Sequence, residues 1–254
     1  MADEVKFYNT TSGNISIKTW MANDNFVQSS SAKNPNLKAP TQTLNSLTSS
    51  HYLDVSSNYW FGIVSQNHLY NLGPLFGMGF DFLISSNSFT NVTFPSSNQS
   101  LTGNATSYYL DLSFAKIALL HDDKMRQYLA LSGHYTSFSN YILNKLSLSG
   151  LAVGLDGKYA FFDVAELYLK GKYIPSTNAG LLTSSFGING EGGLRWNISP
   201  KASIDVGYKA LFYTGSATVE LSGKDETGKD VKEPFNLSIN DIIHGLSIGA
   251  TYYF

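Results

Sequence analysis

The last eleven residues, His244-Gly245-Leu246-Ser247-Ile248-Gly249-Ala250-Thr251-Tyr252-Tyr253-Phe254, place Leu246, Ile248, Ala250, Tyr252 and Phe254 on one face of an extended chain and end on an aromatic ring. Successive side chains of a strand point to opposite sides, so this alternation specifies a β-strand whose two faces meet different surroundings. Reading back from it, the period of two returns repeatedly between clusters of Gly, Pro, Asn, Asp and Ser, while helical periodicity is nearly absent. The chain is therefore expected to be all-β, with ten segments near 12–21, 50–66, 74–91, 106–120, 126–138, 150–162, 166–175, 185–197, 202–215 and 239–254.

The links between these segments alternate in length. Short ones include His121-Asp122-Asp123-Lys124, Asp163-Val164-Ala165 and Ser199-Pro200-Lys201, whereas the stretches 23–49, 91–104, 139–148, 175–183 and 221–234 are longer and polar. An up-and-down antiparallel meander with tight turns at one end and long loops at the other is the layout of a transmembrane β-barrel. One barrel domain over 1–254 is expected, with 1–11 as a periplasmic N-terminal segment. Ten strands is the leading count, with eight or twelve as alternatives.

A soluble barrel also alternates, so the two faces are assigned separately. In 185–197, Asn189, Glu191, Arg195 and Asn197 oppose Ile188, Gly190, Gly192, Leu194 and Trp196; in 202–212, Ser203, Asp205, Gly207 and Lys209 oppose Ile204, Val206, Tyr208, Ala210 and Phe212. In 50–64, Tyr52 and Asp54 fall on the polar face and Leu53, Val55 and Phe61 on the other. The apolar faces are also sorted by height. Phe61, Phe76, Tyr159, Phe161, Trp196, Tyr252 and Phe254 lie near the short-turn end, and Tyr108, Tyr135, Tyr173 and Phe212 near the long-loop end, with aliphatic residues between. Two aromatic bands around an aliphatic belt are what a bilayer selects, because amphipathic rings settle at headgroup level.

At this point the closing strand resembles the C-terminal signal of bacterial outer-membrane β-barrel proteins. Leu246, Ile248, Ala250, Tyr252 and the terminal Phe254 carry the likeness, and the meander extends it over most of the chain. The resemblance implies a bacterial outer-membrane location, recognition by the barrel-assembly machinery, and contact with membrane lipids and lipopolysaccharide. It assigns no subfamily.

Ten strands enclose a narrow lumen. Asp54, Asp81, Asp111, His134, Asp156, Lys158, Lys170, Lys172, Glu191, Arg195, Asp205 and Lys209 are expected to face it, with both signs in similar numbers. A turn centred on Pro200 sets Arg195 opposite Asp205 and Glu191 opposite Lys209, both favourable cross-strand pairs. The balance favours an ion network bracing the wall over a polar constriction that selects solutes.

No catalytic, cofactor or metal residues are assigned. The histidines His51, His68, His121, His134 and His244 lack metal-site spacing, and His121 beside Asp122 and Asp123 reads as a solvated turn. Gly133-His134-Tyr135-Thr136 is similar in passing to the His-x-Ser segment of outer-membrane lipid A deacylases, with Thr136 where Ser is expected. Omptin proteases also use ten strands and acids at the rim; Asp24 would be such an acid, but no full constellation assembles around it.

Only 14% of residues are charged, against roughly 25% in soluble domains. A membrane wall accounts for this, since a charge on the lipid face at the midplane costs about 2–4 kcal/mol. The absence of cysteine excludes disulfides and Cys-ligated zinc or iron-sulfur sites, and a net charge of -2 leaves no nucleic-acid footprint. No apolar run approaches the roughly 18 residues of a membrane helix. Met1-Ala2-Asp3-Glu4 lacks a secretory signal and reads as a mature start behind an added Met. The expected role is structural or adhesion-like, with a plugged lumen, no enzymatic activity, and a host or matrix ligand at the loops. The alternatives are a narrow channel for small solutes and, below it, an outer-membrane hydrolase.

Overall fold

The computed structural model describes residues 7–32, 42–65, 75–94, 99–122, 127–140, 146–162, 164–175, 184–224 and 230–254. They form ten strands: β1 (Phe7–Ala32), β2 (Gln42–Ser65), β3 (Leu75–Phe94), β4 (Gln99–Asp122), β5 (Gln127–Asn140), β6 (Leu146–Phe162), β7 (Ala165–Ile174), β8 (Ser184–Ser199), β9 (Ala202–Lys224) and β10 (Asp230–Tyr253). Each strand pairs antiparallel with its sequence neighbours, and β1 pairs with β10 to close the barrel. Closure leaves the wall without a lateral edge, which a sheet in lipid requires because lipid cannot satisfy open N–H and C=O groups. At the seam the Gly13 and Phe254 backbones exchange two hydrogen bonds of 3.0 Å each.

The outer face carries an apolar belt. On β9 it runs through Ile204, Val206 and Tyr208, all exposed, to Ala210 and Phe212; beyond that point Thr214, Ser216 and Thr218 take over. The belt is thus about nine residues long, the 9–11 that a tilted strand needs to cross a bilayer. Above it the exterior becomes a polar ladder: Thr214 donates to Asn240 at 2.6 Å and Thr218 to Asn236 at 3.3 Å, each across β9 and β10.

Several strands are far longer than the expected segments. β1, β2, β4, β9 and β10 have 26, 24, 24, 23 and 24 residues, whereas β5 to β8 have 14, 17, 10 and 16. The stretch 1–11 is therefore not wholly a separate segment, because Phe7 to Thr11 pair with Ser65 to Phe61 of β2. The expected loops also shrink. Residues 23–32 and 42–49, 91–94 and 99–104, 139–140 and 146–148, and 221–224 and 230–234 lie in strands, and the rest of those four stretches lies outside the described residues. The cause is a reversal of sides: above the belt the outer face meets water and turns polar while inward residues such as Tyr213, Ala217 and Ile239 are apolar and buried, so the strand continues with its apolar residues on the face opposite to that within lipid. Of the stretch 175–183, all but Pro175 lies outside the described residues. The wall is consequently lopsided, tall over β9, β10, β1, β2, β3 and β4 and low over β5 to β8.

Candidate functional site: the barrel interior

The register sets Arg195 opposite Asp205 and Glu191 opposite Lys209. Only the first pair meets directly. Arg195 donates from Nε and Nη2 to the two carboxylate oxygens of Asp205 at 2.5 and 3.3 Å, and from Nη1 to Glu166 at 3.1 Å; Thr251 also donates to Asp205, at 2.6 Å. A guanidinium fork on a carboxylate is the strongest common ion-pair geometry. Lys158 reaches Glu166 at 3.5 Å.

The second pair diverges across the lumen. Glu191 takes Lys18 of β1 and accepts from Tyr168 at 3.0 Å, with Lys170 at 4.0 Å. Lys209 turns instead to Asp54 of β2 at 2.8 Å and Asp81 of β3 at 3.3 Å. On the facing side Lys116 bridges Asp156 at 2.5 Å and donates to Asn58 at 2.8 Å. Gly207 clears space for this layer, because a Cβ there would strike the Tyr168 hydroxyl.

A third cluster is built on Asp111. It receives Lys172 at 3.1 Å, the Tyr109 hydroxyl at 3.2 Å and His134 Nδ1 at 2.8 Å. On the other side of the ring, His134 Nε2 lies 2.6 Å from Ser132 Oγ. Thr136, the expected partner of His134, bonds instead to the Gly150 carbonyl at 3.4 Å. Ser132 and His134 are two apart on β5 and share its inward face, so the partner stands before the histidine rather than after it.

Among the described residues the lumen network holds seven carboxylates, Asp54, Asp81, Asp111, Asp156, Glu166, Glu191 and Asp205, and seven cations, Lys18, Lys116, Lys158, Lys170, Lys172, Arg195 and Lys209. Its formal charge is zero. Lys18, Lys116 and Glu166 were not expected there. Lys18 was legible, since it shares a face of β1 with Ser16 and Trp20. Lys116 was not, because a bulge between Ser113 and Ala115 switches the face of β4 and breaks the alternation.

Toward the long-loop end the interior turns apolar. Trp20 lies two residues beyond Lys18, Ile174 two beyond Lys172, Leu211 two beyond Lys209, and Phe138 four beyond His134. With Tyr52, Leu83, Tyr213 and Ile243 they are at most 2% exposed. Trp20 and Tyr52 rings approach to 4.7 Å, and Phe138 stacks on Tyr213 at 4.8 Å. Among the ion pairs, a cavity of about 20 Å³ is lined by Asp81, Tyr109, Lys170, Lys172, Asn189, Glu191 and Lys209, room for roughly one water. Asp24 is not at an outer rim; it is buried on the inner face opposite Ile243, and Asp241 is buried opposite Tyr213, so both acids lie at the height of the apolar layer.

Tyr159, Phe161, Trp196 and Tyr135 of the expected aromatic bands are exposed on the outer face, and Tyr108 and Phe212 are half-buried; the side chains of Phe61 and Phe76 lie outside the described residues. Phe186, absent from the expected set, joins Tyr173 at 6.4 Å and Phe212 at 5.9 Å in a chain of rings across β7, β8 and β9. Leu246, Ile248, Ala250, Tyr252 and Phe254 all face outward. His244 pairs with Tyr208 on the outer wall, His51 is exposed, and the backbone of His121 lies in β4 rather than in a turn. No cluster among the described residues has the make-up of a metal site.

No family model matches the chain, and no curated protein does. Among solved structures it is similar to the outer-membrane expressed OmpT of Vibrio cholerae, at 11% identity over 99% of this chain and 100% of that one, with a TM-score of 0.31. It is also similar to the translocator domain of the autotransporter NalP from Neisseria meningitidis, at 11% identity over 96% and 89% of the two chains and a TM-score of 0.39. A third is the outer membrane channel DcaP of Acinetobacter baumannii, at 9% identity over 94% and 97% with a TM-score of 0.27.

Proposed function

We propose that this chain is a sealed barrel of a bacterial outer membrane, acting as a structural and surface-interaction element rather than as a conduit. The observation that carries the reading is the interior: a charge-balanced network across the lumen, overlaid by a layer of aromatic and aliphatic side chains with at most 2% exposure. A conducting pore keeps a continuous water path, often lined by one sign of charge. Here the charges of the network neutralise one another, and above them Phe138, Ile174, Leu211 and Ile243 pack with the rings of Trp20, Tyr52 and Tyr213 into a closed layer. The tall wall from β9 round to β4 projects beyond the belt and presents Thr, Ser and Asn on its exterior, a surface suited to contact with a partner or with lipopolysaccharide sugars. The outward row from Leu246 to Phe254 is the strand offered to the barrel-assembly machinery.

The orientation is tested on intact cells. An epitope inserted at 225–229 should be reached by antibody from outside, and one inserted after Lys201 only after the outer membrane is permeabilised. The reverse pattern would overturn the assignment of the tall wall to the surface.

A further inference from the structure

We propose that Ser132, His134 and Asp111 form a nucleophilic site inside the lumen that cleaves small, water-soluble esters, an activity additional to the structural role and contrary to the expectation of no turnover. The warrant is geometric. An ionised carboxylate can only accept, so Asp111 Oδ1 at 2.8 Å fixes the His134 proton on Nδ1 and leaves Nε2 free to accept the Ser132 hydroxyl at 2.6 Å. Asp111 is itself held by Lys172 and Tyr109, so it positions the ring without touching substrate. The arrangement is also cleared for: a Cβ at Gly154, directly opposite Ser132 on β6, would collide with both His134 Nε2 and Ser132 Oγ. Lys116, directly opposite Ser132 on β4, supplies a fixed positive charge for an oxyanion. The water-sized cavity adjoins the site through Lys172 and Tyr109, the two partners of Asp111.

In the first step Ser132 Oγ gives its proton to His134 Nε2 as it bonds to the acyl carbon. The alkoxy C–O bond then breaks, and the departing alkoxide takes that proton. In the second step a water gives a proton to Nε2 as its oxygen bonds to the acyl carbon; the acid leaves and Ser132 Oγ recovers the proton. Ester and water become acid and alcohol, with no further reactant.

The probes are diisopropyl fluorophosphate and p-nitrophenyl acetate, applied to the folded full-length barrel in detergent. Intact mass should show a single phosphoryl adduct, and peptide mapping should place it on Ser132. Ser132→Ala should abolish both the adduct and turnover of the acetate. His134→Gln should slow labelling about 10²- to 10⁴-fold, the usual worth of general base catalysis. Thr136→Ala should leave both unchanged. Asp111→Asn, which can donate to Nδ1, should exchange the ¹⁵N signatures of Nδ1 and Nε2 in His134, a change that mere bracing of the wall would not cause. A folded, heat-modifiable wild-type barrel without an adduct on Ser132 would overturn the proposal, as would labelling that His134→Gln leaves at the wild-type rate. Because the wild-type labelling decides the matter alone, a variant that fails to fold does not shield it.

Discussion

Lys209 Nζ lies 2.8 Å from Asp54 Oδ2, tying β9 to β2 between residues 155 apart in sequence and three strands apart around the wall. The same ammonium holds Asp81 of β3 at 3.3 Å. One lysine therefore spans the lumen and keeps two carboxylates from facing each other uncompensated. Lys209→Ala should destabilise the barrel by about 3–5 kcal/mol, the cost of stranding buried charge. Guanidinium unfolding in detergent micelles, read by tryptophan fluorescence, measures it; a loss below about 1 kcal/mol would mean that water already screens the pair.

Arg195 and Asp205 allow a sharper comparison. Arg195→Met alone should cost about 3–5 kcal/mol by abandoning a buried carboxylate, while the double variant Arg195→Met, Asp205→Leu should recover most of that loss. Glu166 keeps Lys158 in the double variant, so no acid of this cluster is left without a cation. Additive losses in the double-mutant cycle would contradict the pairing.

On the outer face, height decides the cost of a charge. Leu155→Arg sits mid-belt and should lower folding stability in vesicles by about 2–4 kcal/mol, whereas Ser216→Arg, above the belt on β9, should cost about 0–1 kcal/mol. Equal penalties at the two sites would place the bilayer elsewhere.

The apolar layer is a packed core inside a membrane protein. Phe138→Ala removes the ring stacked on Tyr213 and should cost about 3–5 kcal/mol in the same unfolding assay. Partition into detergent should not change, because Phe138 never touches lipid.

The lipid-facing part of this fold was legible in the residues, and the water-facing part was not. Along β8 and β9 the alternation from Trp196 to Ile188 and from Ile204 to Phe212 exists because lipid and lumen demand opposite side chains, and it also gave the register that sets Arg195 against Asp205. Above Phe212 the apolar side changes from the outer face to the inner, as Thr214, Ser216 and Thr218 against Tyr213 and Ala217 show, so the pattern of the belt stops there although the strand does not. Inside the barrel, single-strand reasoning placed Glu191 and Lys209 together, but both are long enough to prefer partners across the lumen, a choice no pairwise register contains. Lys116 is hidden by a bulge, and Ser132 precedes His134 whereas a His-x-Ser pattern looks past it to Thr136. The inner apolar layer was missed for a related reason: Trp20 and Tyr52 share faces with Lys18 and Asp54, and amphipathic rings on a polar face do not mark a seal until their neighbours on β3, β5 and β9 are known.

Conductance in planar bilayers reads out directly whether the lumen is closed. Purified, heat-modifiable barrel reconstituted into a bilayer under an applied voltage of about 100 mV should give a silent trace. Reproducible unitary current steps from the same preparation, blocked or enlarged by substitution at Phe138 or Leu211, would contradict it.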